Sequence, residues 1–165
     1  MAGQGTGRAA GVLNMRKLLL TLSLAIGFPS LAFAEPIGRW WSGYGQGTLE
    51  YGIKNDSAGN DTVYIACAYD HTTINFDVGG KDPRPRSLVV VVIGADEWEL
   101  YVDNEGMIPT SSHVAADNFI SLWKGMRNGS SMRVRLSTGE STVFSLSGSS
   151  KALPKEPCKT DFYDR

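Results

Sequence analysis

The sequence predicts a mainly β fold: an antiparallel β-sandwich or barrel of hairpins with one inserted α-helix. Three observations support this prediction. The chain is rich in turn-forming residues, with 19 glycines and 7 prolines among 165 residues. Three pairs of apolar runs alternate with period two, and one later run follows the spacing of a helix. The length fits a single folded domain.

An early strand and a hairpin are predicted first along the domain. Leu49–Ile53 forms the strand, and a polar loop follows it. The run Val63–Tyr69 then has the period of a strand, in which every second residue from Val63 to Tyr69 lies on one face. A two-residue turn at Asp70-His71 joins it to a second alternating run and sets Cys67 opposite Ile74.

Two further hairpins are predicted in the second half of the domain. Each joins two alternating runs through a short loop, and each keeps its paired apolar residues on one face. The runs are Leu88–Ile93, Trp98–Val102, Met132–Leu136 and Thr142–Leu146. The intervening loops set Val91 opposite Leu100 and Val134 opposite Phe144.

One helix is predicted between these two hairpins, because the apolar period changes there from two to that of a helix. Its apolar face is formed by Phe119, Ile120, Leu122, Trp123 and Met126. Asp117 is the expected N-cap and Gly129 the expected end. A helix of about three turns is expected to pack on the antiparallel sheet.

The composition excludes two broad classes of protein. Hydrophobic residues make up 42% of the chain and the net charge is only −1, which is too apolar and too balanced for a disordered protein. A nucleic-acid-binding module needs a basic face to meet phosphates. A chain with a net charge of −1 does not indicate such a face, so we expect no nucleic-acid partner.

The N-terminal sequence predicts export. Residues 18–28 form an apolar run behind Arg16-Lys17, and Ala32-Phe33-Ala34 fits a signal-peptidase site. The run is shorter than the roughly 20 residues that a membrane-spanning helix needs. We predict an N-terminal extension and cleaved signal peptide over 1–34, and one β-rich domain with a C-terminal tail over 35–165. The mature protein is expected to be periplasmic or secreted, with no stable membrane insertion.

The two cysteines of the chain are expected to form one disulfide, because an exported protein meets an oxidising compartment. A bond between Cys67 and Cys158 closes a long loop, for which the loop-entropy model gives roughly 4–5 kcal/mol. A reactive thiol or a metal ligand is the alternative. It lacks support, since there is no Cys-x-x-Cys motif and no histidine at ligand spacing.

The residues that carry catalytic chemistry form no recognisable constellation. The only histidines are His71, in the predicted turn, and His113, in the loop before the helix. No Gly-x-Ser-x-Gly or Ser-x-x-Lys motif is present. The strand carboxylates Glu99 and Asp103 alternate with inward apolar residues and are expected in water. We predict no catalytic residue, no metal site and no cofactor.

A contact surface is the remaining functional feature that the sequence indicates. Adjacent tryptophans on an extended segment point to opposite sides, so one of them is a candidate for exposure. The candidate contact residues are Trp40, Trp41, Tyr44, Tyr101, Arg133 and Arg135. Exposed aromatic residues and arginines are typical of contact surfaces. The alternatives are an edge strand whose tryptophan covers the core, and arginines on a solvated strand face.

The C-terminal half resembles a known group of proteins. It contains the helix Phe119–Gly129, the strand Met132–Leu136 and the segment Val143–Leu153, which ends in Ser-Leu-Ser-Gly and a short helix. This succession resembles small bacterial periplasmic proteins of the invasion-associated locus B type. The resemblance implies an all-β fold, a signal peptide and no known catalytic residues.

These observations together predict a non-catalytic exported protein that acts through a binding surface. Its partner is expected to be a protein in the envelope or outside the cell, as for a host-interaction factor or an inhibitor or immunity-type partner of an envelope enzyme. An envelope structural or stress accessory protein is the alternative. A hydrolase built on His71 or His113 is a more distant one.

Overall fold

Nine strands and two helices lie in the part of the chain that a computed structural model describes, residues 36–56, 58–69 and 71–163. In chain order they are β1 (Trp41–Gly45), β2 (Thr48–Lys54), β3 (Thr62–Cys67), β4 (Thr72–Asp77), β5 (Leu88–Ile93), β6 (Asp96–Tyr101), β7 (Ile108–Pro109), α1 (His113–Asn128), β8 (Ser131–Leu136), β9 (Ser141–Ser145) and α2 (Ser149–Ala152). The predicted extension and signal peptide, residues 1–34, lie outside the described residues. Neither described helix is long and apolar enough to span a bilayer.

The strands form two antiparallel sheets. The first sheet has the order β1-β2-β3-β4-β7, so its first four strands pair in the order of the chain. The second sheet has the order β6-β5-β8-β9, with α1 inserted in the chain between β7 and β8. The prediction of a mainly antiparallel β fold with an inserted helix is confirmed. The two sheets fit the sandwich alternative, and neither closes into a barrel within the described residues.

The register of all three predicted hairpins is wrong by two residues. In each hairpin the partner lies two positions nearer the loop than expected: Cys67 lies opposite Thr72, Val91 opposite Trp98, and Val134 opposite Thr142. The shift is even, and strand side chains alternate between faces, so every apolar residue of these pairs keeps its predicted face.

The loops account for the shift. Ala68 N–H donates to His71 C=O at 2.8 Å, so the first turn begins one residue before the predicted Asp70-His71 turn. Gly94 opens a two-residue loop with φ +61°, and Gly139 ends a three-residue loop with φ +100°. Such positive φ angles suit glycine and allow the tight turns that hairpins favour.

The helix α1 begins earlier than predicted. Its N-cap is Ser112, whose hydroxyl accepts a hydrogen bond from Ala115 N–H, whereas Asp117 lies inside the helix. His113 is therefore the first helical residue and not part of a loop. The predicted end at Gly129 is confirmed: Gly129 N–H donates to Gly125 C=O, and a Cβ at Gly129 would lie 2.5 Å from Ile93.

A single hydrophobic core joins the two sheets and α1. The edge of the Tyr51 ring meets Trp123 with ring centres 5.3 Å apart, and Phe119 packs beside Trp123. The largest fully buried side chains come from both sheets and α1, among them Trp123, Phe76, Phe119, Phe144, Ile53, Ile65, Leu122 and Met132. The predicted apolar face of the helix lies in this core, with Ile120 only partly buried at its edge.

Candidate functional site

Trp40 is a core residue, which corrects its prediction as a contact residue. Only 7% of its surface is exposed, and its indole N–H donates to Ser145 C=O at 2.9 Å. Ser145 ends β9, the edge strand of the second sheet. Trp40 therefore links the segment before β1 to the second sheet.

Trp41 lies half-buried on the outer face of the first sheet. It is paired with Gly52, and its ring packs 6.2 Å, centre to centre, from that of Tyr64. A Cβ at Gly52 would come within 2.9 Å of the indole ring, so the absent side chain makes room for it. Of the two adjacent tryptophans, Trp41 therefore keeps part of its surface exposed, whereas Trp40 is buried.

Tyr44 is exposed as predicted, and the structure adds two neighbours that the sequence did not single out. Tyr44 has 72% of its surface exposed, Leu49 45% and Tyr69 93%. Leu49 lies opposite both Tyr44 and Cys67 in the register. These three residues, with the disulfide beside them, are called the Tyr44 patch below.

The position of the Tyr44 patch explains its exposure. Leu49 shares the inward face of β2 with Tyr51 and Ile53, which are buried, but it lies beyond the end of the core. Tyr69 follows the end of β3 and stands in the loop, although its alternation with Cys67 predicted an inward position. The patch lines a cavity of about 260 Å³ together with Cys67 and Cys158.

The C-terminal segment is fixed beside this patch by the predicted disulfide. Cys67 and Cys158 are bonded, with Cα atoms 5.9 Å apart. Three residues later, Asp161 accepts hydrogen bonds from Thr72 N–H and the Thr110 hydroxyl, both at 2.8 Å. The bond and the carboxylate together hold residues 158–161 against β3 and β4.

The electrostatics of Asp161 favour its charged form. Burial, with only 8% of the side chain exposed, pushes the pKa of this carboxyl upward. The hydrogen bonds from Thr72, Thr110 and His71 outweigh that effect, so the pKa lies below its ordinary value. Asp161 is therefore an ionised anchor at neutral pH.

Each histidine contacts a different carboxylate. His71 Nδ1 lies 2.8 Å from Asp161, and His113 Nδ1 lies 3.4 Å from Asp117. The Thr110 hydroxyl donates to Asp161 and the Thr72 hydroxyl donates to Lys159 C=O, and both threonines are buried. Among the described residues, no group of three or more histidine, cysteine or acidic side chains is placed to hold a metal ion.

A carboxyl pair lies at the end of β4. Burial, followed by the hydrogen bond with Asp82 and the charge of Asp82, together raise the pKa of Asp77 to about 7. A proton shared between two carboxyl groups explains this behaviour. Neither residue lines the cavity beside the Tyr44 patch.

The other predicted contact residues lie on the second sheet. Tyr101 in β6 and Arg133 and Arg135 in β8 are all exposed. They lie on its outer face, whereas Tyr44 belongs to the first sheet. The predicted contact residues therefore do not form one surface.

Comparison with known sequences gives one family. Residues 38–153 match the sequence model of the YfjT family. This range contains every described strand and helix, and it ends before Cys158. No curated protein and no solved structure matches the chain.

Proposed function

The chain belongs to the YfjT family, and from its geometry we propose a non-catalytic exported protein that binds a protein partner through the Tyr44 patch. The observation that carries this proposal is the exposure of Tyr44, Leu49 and Tyr69 around one cavity. Tyrosine is among the residue types enriched at the energetic centres of protein interfaces. A contiguous exposed apolar patch is itself a mark of an interaction site.

The support beneath the patch favours binding. The disulfide fixes Cys67 and Cys158 in the lining of the same cavity, and Asp161 fixes the segment that follows. A surface that is ordered before binding loses less conformational entropy when a partner arrives. The proposed site therefore needs little rearrangement to bind.

Export is part of the same proposal. The apolar run at residues 18–28 and the site at Ala32-Phe33-Ala34 support secretion. A disulfide persists in oxidising compartments such as the periplasm. The partner is a host protein or an envelope enzyme, and the resemblance to proteins of the invasion-associated locus B type agrees with a location outside the cytoplasm.

One observation favours a second candidate, a hydrolase that uses His71. Its contact with Asp161 is the arrangement that orients a catalytic histidine. A nucleophile must also lie within hydrogen-bond reach of the histidine. The buried hydroxyls of Thr72 and Thr110 make poor nucleophiles, because they are inaccessible to a substrate.

Site-specific photocrosslinking in cells tests the proposal. A photoreactive phenylalanine analogue replaces Tyr69 in one variant and Val114, another exposed apolar residue that lies on α1, in a control. We expect a discrete crosslinked species at position 69, absent at position 114 and reduced by Tyr44→Ala. His71→Ala is expected to leave it unchanged. Equal crosslinking at both positions, or none at position 69, would contradict the proposal.

A further inference from the structure

The outer face of the second sheet carries opposite charges on the two sides of an apolar strip. Arginines project from β8, glutamates from β6, and valines from β5, which lies between them. The residues concerned are Arg133, Arg135, Glu97, Glu99, Val90 and Val92.

The register arranges these side chains in two parallel rows. Val92 is paired with both Glu97 and Arg133, which gives one row across the three strands. The second row has the same order, with Glu99, Val90 and Arg135. Side chains in one row of a sheet share a face, so both rows point away from the core.

The charges on this face form no ion pair within the part of the chain that the structure describes. All four charged residues are exposed, and none makes an ion pair with another described residue. An arginine and the glutamate of its row are two strands apart, about 9–10 Å between Cα atoms. The valine between them is half-buried.

We propose that this face binds a second copy of the chain, in a dimer whose two-fold axis runs parallel to β5. Rotation about that axis lays β8 of one copy over β6 of the other. Arg133 then faces the second copy's Glu97, and Arg135 faces its Glu99. The valine strips meet in the centre.

The charge pattern selects this arrangement and this partner. A dimer whose two-fold axis runs perpendicular to the strands would lay arginine over arginine and glutamate over glutamate, and these like charges repel. Only the axis along β5 makes the face complementary to itself, as a two-fold interface requires. Sheets that pack face to face cross at about 30°, and this angle keeps the side chains of both rows near their partners in the second copy.

The size of the face determines how stable the dimer is. Four strands at about 4.8 Å and five residues at about 3.3 Å span roughly 19 by 17 Å. This area is smaller than the about 800 Å² per partner of a standard interface. The dimer is therefore expected to dissociate on dilution and to weaken as salt screens its charges.

Charge exchange between the strands provides a sharp test. One variant carries R133E and R135E, so that both β6 and β8 present acidic side chains. The other carries E97R and E99R, so that both strands present basic side chains. Full chains are expressed, and the purified proteins are studied by sedimentation equilibrium across a range of concentrations. Wild type is expected to dimerise with increasing concentration, and each variant alone to remain monomeric.

An equimolar mixture of the two variants is expected to dimerise like wild type, because each acidic strand then faces a basic one. The quadruple variant that exchanges all four charges is expected to dimerise alone. Circular dichroism confirms that each variant is folded. A wild type that stays monomeric, variants that dimerise alone, or a mixture that does not associate would each overturn the proposal.

Discussion

The two sheets contribute similar inner faces to one core but differ in what covers and anchors them. The outer face of the first sheet is covered by Trp41, which packs over Gly52 and beside Tyr64. That of the second sheet presents charged residues and valines. The first sheet is also bonded to the C-terminal segment, through Cys158 and Asp161. The comparison teaches that a disulfide ties the first sheet to a distant segment of the chain, whereas hydrogen bonds such as that from Trp40 to Ser145 tie the second sheet to the segment before β1.

Removal of the disulfide is expected to have the largest effect. Replacing Cys67 and Cys158 by serine is expected to lower the free energy of unfolding by about 4 kcal/mol, because the bond closes a long loop. Denaturant unfolding measures the loss. Hydrogen exchange is expected to rise mainly in β3 and β4. Equal loss of protection in β5 and β8 would break the distinction between the two sheets.

A methyl group at Gly52 tests the packing on the first sheet. Gly52→Ala places a Cβ 2.5 Å from the Val63 carbonyl oxygen and 2.9 Å from Trp41. We expect a loss of about 1–3 kcal/mol in unfolding free energy, as for other overpacked sites. Gly45→Ala is the matched control, since a Cβ there meets nothing within 4 Å. Similar losses in both variants would refute the steric explanation.

The ionised anchor gives a loss that depends on pH. Asp161→Asn is expected to cost about 1–2 kcal/mol at neutral pH, because it weakens charge-assisted hydrogen bonds. The folded-state pKa of Asp161 is below its unfolded value, so its contribution is present above about pH 4 and is lost as pH falls through the folded pKa. Unfolding curves of both proteins are therefore expected to converge in acid. A pH-independent difference would contradict this account.

The smallest expected effect has the opposite sign. The pKa of Asp77 is raised to about 7, so its contribution to stability is greatest below about pH 4 and is lost as pH rises through 7. Asp77→Asn is expected to be more stable than wild type at pH 8 by less than about 1 kcal/mol, since a half-exposed charge is screened. At pH 4 thermal unfolding of the two proteins is expected to coincide. An equal gain at both pH values would argue against the shared proton.

The face of each strand was predictable from the sequence, whereas its register was not. The face on which a side chain lies depends only on whether its position along the strand is odd or even, so Val91 and Val134 are buried as expected. Register depends on where each loop begins, and glycines such as Gly94 and Gly139 decide this through their positive φ angles. The pattern around Asp117 likewise gave the buried face of the helix but missed its first turn, which begins with the exposed residues His113 and Val114 and is capped by Ser112.

The candidate site was predictable only in part. Exposure of Tyr44 and the pairing of the cysteines follow from composition and local pattern. The burial of Trp40 depends on β9, more than 100 residues further along the chain, which no local pattern reveals. Tyr69 was assigned inward by alternation, but β3 ends at Cys67 and the loop turns its side chain outward.

The position of the disulfide also bears on the order in which the chain assembles. Cys158 lies 91 residues after Cys67, and all the described strands and helices precede it in the chain. During synthesis the second sulfur thus emerges only after these elements have been made. With two cysteines, one intramolecular pairing exists, so no exchange between alternative bonds is needed. The disulfide therefore closes only after the whole chain of strands and helices that it encloses has been synthesised.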